Sequence, residues 1–88
     1  MNRVFLTGRV QSQPDTAYTP RGLRIVTFPL WIEDGKFGID VIFTGVFPAD
    51  VGQKTGEKVT VAGSLVKAKE RAREVLKVRA SKIIWMEE

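Results

Sequence analysis

Hydrophobic and polar positions alternate with a period of two along most of this 88-residue chain, the pattern of strands that bury one face. From Asn2 to Val10, Val4, Leu6 and Val10 share a face with Gly8, while Arg3, Phe5, Thr7 and Arg9 share the other. Gly8 inside that run predicts a bend or a close backbone approach. A second strand is predicted from Leu23 to Glu33, with Phe28, Leu30 and Ile32 opposite Thr27, Pro29, Trp31 and Glu33. Pro29 offers no ladder N–H and marks an edge or a bulge. Asp34-Gly35 predicts a tight hairpin turn, and Lys36 to Val46 returns as a third strand with Ile39, Val41 and Phe43 on one side. Glu57 to Val66 reads as a fourth, with Val59, Val61 and Leu65 inward and Gly63 at another bend. Glu74 to Met86 reads as a fifth, with Leu76, Val78, Ala80, Ile84 and Met86 on one face against Lys77, Arg79 and Ser81. Gln11 to Pro20 and Pro20-Arg21-Gly22 are turn-rich, and Phe47 to Thr55, with Pro48 and Gly52, leaves room for at most one short helical turn.

One stretch reads two ways. Val66 to Arg79, "VKAKERAREVLKVR", is rich in helix formers, with Ala68, Ala72, Val75, Leu76 and Arg79 at helical spacing and no Gly, Asn or Pro to make a turn. It also alternates as two basic strands. A fifth strand is needed to close the sheet, so the hairpin is expected, with a frayed tip around Glu70–Arg73. The result is an all-β chain with little or no helix: one domain over residues 1–88, built as a five-stranded OB-fold barrel with a basic hairpin between the last two strands. An SH3-like barrel fits the same pattern.

Composition narrows the chemistry. With 43% hydrophobic and 27% charged residues the chain is globular, and it has no cysteine and no histidine. The common zinc sites and His-assisted nucleophiles are therefore excluded. The ten acids are scattered, no glycine-rich phosphate loop precedes a helix, and neither a catalytic centre, a metal site nor a cofactor is expected. No apolar run approaches the ~18 residues of a membrane span and no signal peptide opens the chain, so a cytoplasmic location without membrane contact is expected. The net charge is +4, which suits an anionic partner. The charge is concentrated: Lys67, Lys69, Arg71, Arg73, Lys77, Arg79 and Lys82 lie in one stretch with only Glu70 and Glu74.

The motifs together resemble a known family. Asn2 to Val10, "NRVFLTGRV", resembles the opening strand "N-K/R-V-x-L-x-G-x-L" of bacterial single-stranded DNA-binding proteins (SSB). Tyr18 to Leu30, "YTPRGLRIVTFPL", is similar to the family's "Y-x-P-N-G-x-x-V-x-x-F-x-L". "VIFTG" from Val41 and "GEKVTVAGSL" from Gly56 resemble its third and fourth strands. The basic hairpin and the lack of a glycine- and proline-rich linker with an acidic tip before Glu88 resemble the primosomal replication protein N (PriB) subgroup. Family positions that stack bases on the third and fourth strands fall here on Gly38, Thr44 and Glu70, so those roles are not carried over.

The resemblance implies a homodimer, or a tetramer on the SSB pattern, that binds single-stranded DNA with little sequence preference in replication, repair or recombination. A PriB-like accessory that also contacts replication or primosome proteins is the nearest alternative. A protein-interaction OB-fold with an acidic partner is the alternative of another class. Bases stack on aromatic faces and phosphates pair with cations. Trp31, Phe37 and Tyr18 are the expected stacking residues. Lys67, Lys69, Arg71, Arg73, Lys77 and Arg79 are the expected phosphate ligands, with Lys67, Lys69, Lys77 and Arg79 forming one cationic stripe and Arg21, Arg24 and Lys36 extending it. Because the family pairs its first strands, Arg3, Phe5 and Thr7 are the expected oligomer interface. Phe28 and Phe43 point inward by parity, and Trp85 has outward parity.

Overall fold

Alternate β-branched and aromatic side chains on strands that must bury one face leave a sheet two solutions, packing on another sheet or curling on itself. This chain curls. In the computed structural model, which describes residues 1–45 and 55–86, six strands form one sheet: β1 Val4–Val10, β2 Asp15–Tyr18, β3 Arg24–Ile32, β4 Phe37–Thr44, β5 Lys58–Glu70 and β6 Arg73–Trp85. The order is β1-β5-β6-β4-β3-β2, and a further pairing of β1 with β3 closes five of them into a ring. All neighbours are antiparallel except β4 and β6, which run parallel through Val41↔Val78 to Phe43↔Ala80. This is the expected OB barrel, and no helix occurs among the described residues. The expected helical turn in Phe47–Thr55 lies, but for Thr55, outside the described residues, as does the end of the predicted third strand at Val46.

The ring's interior is lined as the alternation predicts. Val26, Phe28, Leu30, Val41, Val59, Val61 and Val78 are fully enclosed, with Val10, Ile32 and Ala80 beside them. Val4, Leu6, Ile39, Phe43 and Leu65 pack against that cluster. Closure depends on two glycines. β1 pairs with β5 as far as Arg9, and at Arg9 and Val10 it pairs with β3 as well. A side chain at Gly8 would strike the carbonyl of Trp31, so the residue that turns β1 from one neighbour to the other has no room for a Cβ. Gly63 on β5 has the same relation to the carbonyl of Arg79 on β6.

Pro29 is accommodated without breaking β3. The amide of Gln11 donates to the Pro29 carbonyl (2.9 Å), so that residue's nitrogen faces the β1–β2 side. β2 stops pairing at Thr27 and β1 begins at Leu30, so the missing donor falls in the gap between them.

Four expectations need correction. β2, read as turn, is a short strand on the free side of β3; its four residues are all exposed and carry no buried-face alternation. Asp34-Gly35 is not a two-residue turn: Ile32↔Phe37 is the last pair, the loop has four residues, and the left-handed backbone is at Lys36 (φ 55°). The hairpin tip is not frayed. β5 and β6 pair through Glu70↔Arg73 around Arg71-Ala72, whose φ of 49° and 65° are those a two-residue twisted turn demands. Finally, the parity of β6 reverses. Gly63 opposes Ala80 but Ala62 opposes Lys82, so Ser81 is an extra residue in a β-bulge. Beyond it Ile83 and Trp85 turn inward, Trp85 against Phe28 at 6.4 Å between ring centroids, and Ile84 and Met86 turn out, both exposed.

Gly63→Ala should test the closure. With backbone atoms in the way, the substitution is expected to cost about 1–3 kcal/mol, read as a lower midpoint in chemical denaturation. An unchanged midpoint would show that the β5–β6 approach is not tight.

Candidate nucleic-acid interface

The register decides which side chains share the barrel's outer surface. Across the sheet, Thr27, Ile42, Arg79 and Ser64 form one outward row on β3, β4, β6 and β5. Pro29 and Asp40 form the next row, with Lys77 beside them on β6. Trp31 and Gly38 form the third, with Arg9 on the other side of Trp31. Because Gly38 has no side chain, the indole of Trp31 lies half-exposed over its partner strand. Trp31 is therefore the aromatic of the outer sheet face, as expected.

The other two predicted stacking residues lie elsewhere. Phe37 shares the face of Ile32, opposite to that of Trp31, and its ring packs over Gly35 in the loop. Tyr18 is exposed on β2 opposite Arg24. Arg24 is half-buried, and its Nε is enclosed without a hydrogen-bond partner in the structure. Arg21 is exposed in the turn that Thr19 closes, where Gly22 N–H donates to the Thr19 carbonyl (2.8 Å). Lys36 is exposed at the β3–β4 loop.

The hairpin arm differs from expectation in two ways. Lys67 and Lys69 oppose Leu76 and Glu74 on the face that continues the barrel interior. Arg73, Lys77 and Arg79 oppose Glu70, Val66 and Ser64 on the outer face. The cations therefore project from both sides of the ribbon, not as one stripe. In a ladder, directly opposed residues share a face, and the register opposes none of the two lysines on β5 to a cation on β6.

Lys77 is also committed internally. Its Nζ lies 2.5 Å from Glu70 and 3.6 Å from Asp40, and its side chain is only 14% exposed. Lys77 thus ties the arm's distal end to β4. The Lys77 ammonium hydrogen-bonds the Glu70 carboxylate and holds it below its ordinary pKa of 4.5. In return, the bond to Glu70 raises Lys77 above its ordinary 10.5, against a smaller desolvation effect. Lys67 lies 3.6 Å from Glu74, both exposed, where an ion pair contributes little. Lys69, Arg71, Arg73 and Arg79 form no ion pair among the described residues and are exposed. Sequence reasoning also passed over Lys82, which only the bulge brings outward.

The face of β1 expected at an oligomer interface is unpaired to its outside. Phe5 is 73% exposed, and Thr7 bonds Thr60 side chain to side chain (2.8 Å). Ile84 and Met86, turned outward by the bulge, lie on the same surface, since Thr60 opposes both Thr7 and Ile84. No group of three or more metal-ligating side chains occurs among the described residues, and no helix is long and apolar enough to cross a membrane.

No family model matches the chain. Over 30 residues it is 53% identical to the single-stranded DNA-binding proteins of Bacillus cereus and Bacillus anthracis. That match spans 34% of this chain and only 18% and 17% of those relatives' lengths. Among solved structures, wild-type single-stranded DNA-binding protein from Thermus aquaticus superposes with a TM-score of 0.87 at 24% identity, over 100% of this chain and 41% of the other. A deletion mutant of the same protein gives 0.78 at 28% identity, over 99% of this chain and 51% of the other. The dimeric N-terminal domain of PriB from Thermoanaerobacter tencongensis gives 0.76 at 19% identity, over 99% of this chain and 98% of the other.

The Lys77 link has a pH signature. Glu70 is held below its ordinary pKa, so the link is intact above about pH 4.5 and is lost as the pH falls through the lowered value. Lys77, held above 10.5, keeps its charge until alkaline pH, and its contribution is lost as the pH rises through the raised value. Glu70→Gln at neutral pH should mimic acid, with faster amide exchange around Lys69–Glu74 and unchanged protection at Val59 and Val61. Equal protection of the arm in the variant would show that Glu70 does not hold it.

Proposed function

We propose that the chain binds single-stranded DNA with little sequence preference, in replication and related DNA transactions in the cytoplasm, because a stretch of 30 of its residues matches single-stranded DNA-binding proteins and its fold is similar to theirs and to that of PriB. The observation that carries this reading is the outer sheet face. Trp31 sits half-exposed there beside a hairpin whose Lys69, Arg71, Arg73 and Arg79 are exposed and form no ion pair among the described residues. A single strand needs these two things, a flat ring for its bases and cations for its phosphates. Lys67 adds charge loosely held by Glu74, while Lys77 sets the arm's position. Arg21, Arg24 and Lys36, with Tyr18 and Phe37, extend the surface at the two loops flanking β3. The function is binding and not catalysis, carried by a single OB unit over residues 1–88.

The working assembly is a homodimer joined through the outer face of β1. Phe5, Thr7, Ile84 and Met86 support this, as an exposed, largely apolar patch on one face of β1, β5 and β6, with Lys82 in the row of Phe5. Contacts with replication or primosome proteins, as in a PriB-like accessory, are a finer form of the same reading.

Tryptophan emission tests the proposal, because Trp85 is packed against Phe28 and Trp31 is the ring within reach of a ligand. A dT oligonucleotide should quench the emission, and Trp31→Ala should abolish most of that signal and weaken binding by about 1–3 kcal/mol. Lys69→Ala should flatten the dependence of log affinity on log salt by about 0.7, one single-strand phosphate contact. No binding to any single strand at low salt would overturn the proposal.

A further inference from the structure

β4 and β6 pair only from Val41↔Val78 to Phe43↔Ala80. On the arm side of that ladder the two strands part, and an open groove of about 340 Å³ lies between them, lined by Gln11, Pro29, Gly38, Asp40, Glu70 and Lys77. Gln11 and Trp31 meet at its edge, over Gly38. A Cβ placed on that glycine would lie 3.1 Å from Gln11 Oε1 and 3.9 Å from Cε3 of the indole. The bare position on β4 thus leaves room for both side chains, and the carboxamide stands beside the ring on which a base would stack. Gln11 is held there by its own amide, which donates to the Pro29 carbonyl (2.9 Å) just past the last β1–β3 pair, Val10↔Leu30.

The polar side chains of this groove offer acceptors. The Gln11 side chain forms no hydrogen bond among the described residues and turns Oε1 toward the ring. Asp40 and Glu70 are carboxylates whose side chains are 42% and 51% exposed. The one cation of the lining, Lys77, is 14% exposed and paired with both of them. Two carboxylates and one ammonium leave the groove one charge negative, which repels phosphate. What it suits is a neutral group that donates. The groove lies on the β3–β4 side of the barrel, whereas Phe5, Thr7, Ile84 and Met86 stand on the face of β1, β5 and β6.

We propose that this groove takes the edge of the base stacked on Trp31 and favours bases that carry an exocyclic amino group, so that among pyrimidines it prefers cytosine to thymine or uracil. Gln11 and Asp40 set the preference. Gln11 Oε1 accepts at the margin of the ring, and the Asp40 carboxylate accepts in the neighbouring row, where its strand partner is Pro29. An amino group supplies the N–H donors that such a surface needs. Uracil and thymine offer one N–H flanked on both sides by carbonyl oxygens, so one of those oxygens must face another acceptor. The charge that draws in the amino group also keeps phosphates out, which leaves them to exposed cations such as Arg79. The result is a small bias on binding that otherwise tolerates any sequence. The inference rests on single-strand binding with Trp31 as the stacking ring, as proposed above, and its test separates the two.

Oligonucleotides of deoxycytidine and of deoxyuridine present two pyrimidines of one size that differ only along this edge. Wild-type protein should bind the cytosine strand about threefold to tenfold more tightly, the size of one net hydrogen bond. Gln11→Leu removes the acceptor from an exposed side chain and keeps its bulk, and Asp40→Asn puts an N–H donor in place of a carboxylate oxygen at the same shape. Thermal unfolding checks that both variants fold. The ratio of the two affinities should fall toward one in Gln11→Leu, and to one or below in Asp40→Asn. Wild-type protein that binds neither strand would remove the parent proposal and the groove with it. Equal affinity of the wild type for both strands, or a preference for uracil, would overturn the groove alone. So would a cytosine preference undiminished in both variants. Affinity lost equally for the two strands, at an unchanged ratio, would also overturn it, since Gln11 and Asp40 would then hold the surface without reading the base.

Discussion

Backbone packed directly on backbone at Gly8 and Gly63 is the constraint from which the rest of the molecule follows. A six-stranded sheet with one apolar face and no second sheet to cover it must curl until that face is enclosed. The curl is possible because β1 can serve both β5 and β3, and β5 can press against β6, at residues that have no Cβ. Closure then encloses Phe28, Leu30, Val41, Val59, Val61 and Val78 completely, at about 25 cal/mol for each square ångström of apolar surface removed from water. The same closure turns every intervening residue outward. The functional surface is thus the complement of the core, set by the register that fills the interior.

Two local irregularities shape that surface beyond simple alternation. The bulge at Ser81 exchanges the faces of β6 midway, so Trp85 joins the core and Lys82 and Ile84 leave it. One inserted residue thereby places both an outward lysine and part of the apolar patch around it. The second irregularity is electrostatic. Lys77, the least exposed of the arm's lysines, is answered by Glu70 from the arm and Asp40 from the barrel. A cation paired twice is poorly placed to compete for a phosphate. It serves instead to tie the long β5–β6 ribbon to β4.

The legible and the illegible parts of this structure divide along a physical line. Period-two alternation located five strands, most of the core and the outward setting of Trp31, because burial of one face imposes it. The bends at Gly8 and Gly63 were legible for the same reason, a glycine where a strand needs a side chain. β2 was not, since Asp15–Tyr18 buries nothing and has no pattern to show. The Arg71-Ala72 turn was hidden because its left-handed backbone is imposed by thirteen-residue strands on either side, against local preference. The bulge left one trace, the adjacent Ile83 and Ile84 that break the alternation. The split of the arm's cations between two faces depended on register, which a sequence of alternating lysines does not fix.

The central claim is that a single strand runs over the outer face of this barrel, past Trp31 and Arg79. Amide chemical shifts of the labelled protein, followed through a titration with a dT oligonucleotide, test it in one measurement. The account predicts saturable shifts that connect Trp31 and Gly38 on β3 and β4 with Ile42 on β4 and Arg79 on β6, with the interior at Val59 and Val61 still. Shifts confined to β2 and the Thr19–Leu23 turn, or none at all, would contradict it.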